Sequence, residues 1–207
     1  ICTVFLVKIL RFAQDDNRRI LPMTLCKVSN SAKNNYLWQD NHIIMRKEIT
    51  FVSADEAVKV VKSGDHIHLS SVASAPRILI EALCKRGESG ELQDVRIHHL
   101  HTEGAAPYTD PKFEGVFFHQ AFFVGGNVRK SVQAGYSDYI PVFLSETQKL
   151  YRCGALRCDV AMIQVCPPDK HGYVSLGTSV DATLAAIECA KTVIAVVNPN
   201  VPRAWGD

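Results

Sequence analysis

Two glycine-bearing turns are the places where this chain can do chemistry. In Phe123-Val124-Gly125-Gly126-Asn127-Val128-Arg129 a glycine pair separates an apolar run from a helical pattern. Small residues there let a ligand approach the backbone, and free N–H groups at a helix start attract a carboxylate or phosphate. Arg129, one turn further on, adds a guanidinium able to clamp such an anion with two parallel hydrogen bonds. The second turn runs from Pro167 to Asp181. His171-Gly172 occupies a reversal, and Gly177-Thr178-Ser179 stands where a helix should open, again a position that favours anionic groups. The candidate binding residues are therefore Gly125, Gly126, Asn127, Arg129, His171, Gly172, Gly177 and Ser179. The same residues also have plain structural readings: a tight strand-to-helix turn with Arg129 in a surface ion pair, Ser179 as an N-cap, and Asp181 as a first-turn acid.

Other reactive side chains carry less. Glu103, in a Thr-Glu-Gly sequence just after an expected strand, invites a nucleophilic role, but hydrogen bonding at a strand end is the more ordinary use of such a residue. On a strand His99 and His101 share one face while His98 faces the other, so the three do not make a metal site, and no metal is assigned. The seven cysteines are scattered and contain no Cys-x-x-Cys pair, which excludes a zinc framework and fits a reducing compartment. Cys166 has only Lys170 and His171 nearby in sequence to activate its thiol.

Elements able to position these turns follow from the apolar periodicity. Residues 160–165 form a nearly unbroken apolar run bounded by Pro167-Pro168, as expected of a strand buried on both faces. A second strand is expected over 173–176, a helix over 181–191 with Val180, Leu184, Ile187 and Ala190 on its inner face, and a third strand over 192–198. Upstream, Ser53-Ala54-Asp55-Glu56 is a capping box whose helix should run to Ser63-Gly64. A strand over 67–69 follows. Pro76 suits the first turn of a helix with Ile78, Leu79, Ile80, Leu83 and Cys84 as its apolar stripe. Strands are expected over 95–100, 116–124 and 140–144, with a short helix over 127–134. Alternating strands and helices joined by short turns imply an α/β fold: an open, mostly parallel, doubly wound sheet with helices on its faces.

Four blocks of sequence carry a family resemblance. SADEAVKVVKSGDHIHLSS, HTEGAAPYTDP, FFVGGNVRKSVQAGYSDYIPVFLSE and PPDKHGYVSLGTSVD, the last followed by VNPNVPRAWGD, resemble in order the N-terminal half of the acetyl-CoA hydrolase/transferase family, which includes acetate and 4-hydroxybutyrate CoA-transferases. The resemblance covers residues 48–207, read as an N-terminal CoA-transferase domain. It implies two similar α/β halves in a longer chain, with a glutamate nucleophile in the C-terminal half, so no catalytic residue of the covalent step is assigned between residues 1 and 207. It also implies acyl-CoA and a short-chain carboxylate as substrates, coenzyme A as substrate and no other cofactor, the C-terminal half as partner, and a homo-oligomer. This half alone should be inactive and should expose an apolar flank. A non-catalytic CoA-binding subunit of a split transferase is the alternative. A sugar-phosphate isomerase-like domain is a further one, which the PPDKHGYVSLG string disfavours.

A net charge of +2, with no Lys/Arg run, gives no basis for nucleic-acid binding. Residues 1–47 lie outside the resemblance and are read as an unassigned N-terminal extension, with Met45 as a natural start. Their apolar run, ICTVFLVKILRF, is too short to span a bilayer and lacks a basic leader and cleavage site. No membrane partner is assigned, and a cytoplasmic protein is expected.

Overall fold

The computed structural model describes residues 3–8, 48–169 and 174–204. Eight strands form one sheet: β1 (Thr3–Lys8), β2 (Glu48–Val52), β3 (His66–Leu69), β4 (Val95–His99), β5 (Phe117–Ala121), β6 (Ser137–Tyr139), β7 (Val160–Val165) and β8 (Thr192–Val197). Their order is β2-β1-β8-β7-β3-β4-β5-β6. The six strands from β8 to β6 are parallel, and β1 and β2 close one edge antiparallel. From β3 the chain winds outward through β4, β5 and β6, then returns to the other side of β3 for β7 and β8. The order therefore reverses between β3 and β7. Such a reversal opens a crevice beyond the carboxyl ends of the two strands, where ligands bind in doubly wound sheets.

Every residue of β7 is buried because layers cover both faces. Val160 and Met162 join Ile194, Ile67, Ile97 and the buried side of α2 (Arg77–Glu88) in one core. Ala161, Ile163 and Val165 face α4 (Thr147–Arg152) and α5 (Thr183–Cys189) in the other. α5 presents Thr183, Ala185 and Ala186, whose small side chains let it lie close to the sheet, whereas Leu184 and Ile187 stay half-buried. Its inner face is thus one residue away from the expected leucine and isoleucine stripe. In α2 the stripe holds from Leu79 to Cys84 and includes Ala82, but Ile78 is exposed.

Several elements are shorter than expected. Ser53 does cap α1 (Ala54–Ala57), its hydroxyl accepting from Glu56 N at 3.2 Å, but the helix tightens into a 3-10 turn over Val58–Val60. α3 spans only Arg129–Gln133. The strand expected over 140–144 lies earlier, at β6. Ile140 N makes a last rung to Ala121 O at 2.9 Å, and Pro141, with no N–H, ends the pairing. The strand expected over 173–176 is absent over 174–176, and Tyr173 lies outside the described residues. β7 is already flanked by β3 and β8, so no edge remains for it. Ser175 instead binds Cys166, whose N–H donates to Ser175 O at 3.0 Å.

Within residues 1–47 one described segment belongs to the sheet. Thr3–Lys8 is a strand inside the sheet, between β8 and β2, with Leu6 opposite Ile194 on one side and Thr50 on the other. β8 would otherwise expose an unpaired apolar edge. A proline at position 6 removes a ladder donor from a strand paired on both sides, at about 3 kcal/mol or more. We expect Leu6→Pro to lower the melting temperature by roughly 6–12 °C for a domain of this size. An unchanged melt would show that β1 contributes nothing to the sheet.

Candidate functional site

Three turns beyond the carboxyl ends of β3, β4 and β5 are laced together. After β3, Ser70 N donates to Met162 O (3.0 Å) and Val72 N to His101 O (2.7 Å), extending the ladder by one bridge between Val72 and Thr102. Val72 holds φ at +51°, a costly conformation for a β-branched residue and of the kind found at ligand sites. The hydroxyls of Ser70, Ser71 and Ser74 in this turn are buried and have no hydrogen-bond partner among the described residues. Buried hydroxyls are ordinarily bonded, so three orphans at the strand-order reversal mark a place prepared for a polar ligand. From the β7 side Gln164 Nε2 donates to Ala73 O (3.3 Å), and Gln164 Oε1 accepts from Asn198 Nδ2 (3.2 Å).

The turn after β5 is fitted against the turn after β4. Asn127 Nδ2 donates to Thr102 O at 2.9 Å and to Gly104 O at 3.0 Å. The His101 ring lies directly on Gly125: a Cβ there would come within 2.6 Å of His101 Cε1 and 2.8 Å of Nδ1. His101 Nε2 contacts Glu103 Oε1 at 3.0 Å, and its ring meets Phe123 edge-on. Glu103 thus takes the hydrogen-bonding role at a strand end. Gly126 has open space around it, and Arg129 is exposed with no side-chain partner among the described residues, so it does not form the surface ion pair considered from sequence.

The structure brings Gly125, Gly126, Asn127 and Arg129 together at this rim. His171 and Gly172 lie outside the described residues. Gly177, at φ +69°, is required by packing, since a Cβ would collide with Val201. Ser179 is buried and does not cap α5. The cap position is Ala182, and Asp181 just before it accepts at Oδ1 from Thr183 N at 3.0 Å and Thr183 Oγ1 at 3.1 Å. The correction has a simple cause: α5 begins four residues after Ser179, beyond the reach of an N-cap.

Sequence reasoning missed the serine turn, because Ser70, Ser71 and Ser74 belong to no motif of spaced glycines. It also missed the histidines inside the sheet. On one face Tyr151 donates its hydroxyl to His68 Nδ1 (2.9 Å), and His68 Nε2 donates to Thr183 Oγ1 (3.0 Å), which itself donates to Asp181. On the other, His99 and His119 stack at 4.4 Å beside Tyr108. Burial favours the neutral ring throughout. It pushes His68 and His119 down to about 4 and His98 to about 3, and holds His99 well below the ordinary histidine range. Among the described residues, no group of three or more His, Cys, Asp or Glu side chains is arranged to hold a metal ion.

A family model described as the acetyl-CoA hydrolase/transferase N-terminal domain matches residues 28–207, and the chain belongs to this family. A succinyl-CoA:acetate/propanoyl-CoA:succinate CoA transferase of Fasciola hepatica is 43% identical over 155 residues, 75% of this chain and 32% of that protein. The 4-hydroxybutyrate coenzyme A transferase of Clostridium kluyveri is 39% identical over 156 residues, 75% of this chain and 36% of that one. Among solved structures, a 4-hydroxybutyrate CoA-transferase from Porphyromonas gingivalis superposes with a TM-score of 0.61 at 30% identity, covering 75% of this chain and 35% of that one. RipA from Yersinia pestis gives 0.69 at 25% identity, with 75% and 38% covered. The chain thus spans about a third of the length of the curated relatives it matches.

Two predictions follow from these contacts. The Gly125→Ala methyl would displace the His101 ring from Glu103, an overpacking cost of about 1–3 kcal/mol, read as a lower melting temperature; an unchanged melt would show that the two turns are not fitted together. The histidines set the acid limb. Their folded pKa values lie below the unfolded value, so the unfolded chain takes up protons first and stability falls as pH decreases. Their contribution is complete above about pH 6.5 and is lost toward about 4, and about 3 for His98. Thermal melts across this window should fall steeply, and less steeply in a His99→Phe/His119→Phe double variant. Equal slopes would place these rings in water.

Proposed function

We infer that the polypeptide carrying this chain is a CoA-transferase that moves coenzyme A between an acyl-CoA and a short-chain carboxylate. The observation that carries this reading is the set of buried, unpartnered serine hydroxyls where the strand order reverses, in a member of this family. Hydroxyls and backbone N–H groups at that crevice suit a carboxylate or a thioester carbonyl, whose oxygen becomes an oxyanion when attacked. Asn127 holds the β4 and β5 turns in register, and the free guanidinium of Arg129 attracts the anionic substrate to their rim.

The chemistry expected of such a site is covalent. A glutamate carboxylate, supplied by polypeptide outside residues 1–207, attacks the thioester carbonyl, the C–S bond breaks, and CoA leaves as thiolate from a mixed anhydride. The thiolate attacks the glutamyl carbonyl, releasing the donor carboxylate and leaving a glutamyl-CoA thioester. The acceptor carboxylate then attacks this thioester, and the thiolate returns to the new acyl group, restoring the glutamate. No redox change occurs and no metal or prosthetic group is needed, because thioester and anhydride are close in energy. Water reaching either intermediate would give hydrolysis instead. Residues 1–207 alone are expected to be inactive. Assembly as a homo-oligomer in the cytoplasm is the setting this reading favours, and no helix among the described residues is long and apolar enough to cross a membrane.

Isotope exchange provides the test. The full-length protein should move label from acetate into acetyl-CoA, and hydroxylamine added with acyl-CoA should inactivate it by capturing the glutamyl thioester. Arg129→Ala should lower kcat/KM about 10–100-fold, the scale of one charge-assisted contact, without changing the melting temperature. Absence of exchange with any short-chain carboxylate would overturn the reading.

A further inference from the structure

Arg77, the first residue of α2, follows the serine turn directly. Its guanidinium lies against Gly104 in the turn after β4. A Cβ on Gly104 would be 3.1 Å from Arg77 Nη2, 3.3 Å from Cζ and 3.5 Å from Nε, so three atoms of the plane are almost equally close. The guanidinium therefore lies over the side of Gly104 where a side chain would stand. Gly104 tolerates this contact because it has no side chain, and at φ +82° it holds a conformation that other residues rarely adopt. The same residue's carbonyl accepts from Asn127 Nδ2 at 3.0 Å. Arg77 is thus seated on a turn that Asn127 holds in place.

Arg77 is exposed, and its guanidinium forms no ion pair and no hydrogen bond among the described residues. Glu103, one residue from Gly104, contacts His101 instead. A guanidinium that no described residue engages is available to a carboxylate, which it can bind with two parallel bonds. Its location adds to the argument. The turn entering α2 contains the orphaned hydroxyls of Ser71 and Ser74, each at most 1% exposed. Pro76 precedes the helix without a side-chain cap, so the partial positive charge of the α2 N-terminus is also unopposed.

We propose that Arg77 reads the distal carboxylate of a dicarboxylate substrate of the succinate class, whose reacting end occupies the serine turn. This rests on the transferase reading above and adds to it the residue that separates dicarboxylates from monocarboxylates. With a monocarboxylate such as acetate, Arg77 has nothing to bind and contributes little.

The test uses the full-length protein and two acceptors, succinate and acetate, with the same acyl-CoA donor. Arg77→Met keeps much of the stem against Gly104 and removes the charge. It should lower kcat/KM for succinate by about 10–100-fold, the scale of one bidentate charged contact, and leave acetate within about threefold. Arg77→Lys, which keeps the charge without the fork, should retain part of the succinate activity. Equal losses for both acceptors would make Arg77 a support for Gly104 or a contact to coenzyme A, and no loss for either would make it a surface residue; each result overturns the proposal. Wild-type protein that exchanges neither acceptor would overturn the transferase reading itself, which distinguishes that failure from one confined to Arg77.

Discussion

The carboxylate of Asp159 holds together the three strands on which the crevice depends. Only 3% of its side chain is exposed, yet it accepts from His66 N at the start of β3 (2.9 Å) and pairs with Arg157 (2.6 Å) and with Lys191 ahead of β8 (2.6 Å). Burial opposes its charge, but these partners hold it below the usual carboxylate range. β3, β7 and β8 are thereby pinned at their amino ends, across the point where strand order reverses. β7 and β8 stay paired as far as Val165 and Val197, and the turns beyond the carboxyl ends of such parallel strands are where ligands bind in doubly wound sheets.

Buried polar groups are satisfied unevenly along the sheet. At the amino ends Asp159 accepts from His66 N and pairs with Arg157 and Lys191. Within the sheet, His68 is neutral and bonded at both ring nitrogens, linking β3 to α4 and α5. At the carboxyl ends, among the described residues, the serine hydroxyls after β3 are orphaned, Val72 is strained, and the guanidinium of Arg129 has no partner. Among the described residues His99, His119 and Tyr108 within the sheet also carry buried polar atoms without a hydrogen bond, so the turn after β3 stands out by combining such groups with the left-handed backbone of Val72.

Much of this was legible in the sequence, for identifiable reasons. The runs at β7 and β8 are apolar at nearly every position, which only a strand covered on both faces requires, and the Gly125-Gly126 pair announced a close approach that the His101 ring now explains. What was not legible depends on neighbours distant in sequence. Thr3–Lys8 looked like an extension because nothing local says that β8 lacks a partner on that side. The strand expected over 173–176 had the right composition but no free edge to join. The serine turn has no signature, since its meaning comes from lying beside β7, some ninety residues later in the chain. Gly177 and Ser179 matched a binding pattern, and what their sequence did not show is that Gly177 packs against Val201 and that α5 starts beyond Ser179.

The central claim is that ligand binding takes place at the carboxyl ends of β3, β4 and β5 while the Asp159 end is structural. Amide hydrogen exchange of the full-length protein, measured with and without a saturating acyl-CoA, tests this directly. Protection should increase over residues 70–76, 101–104 and 125–129 and stay unchanged around Asp65, Asp159 and Lys191. Protection confined to the Asp159 end, or absent from all three turns, would contradict the account.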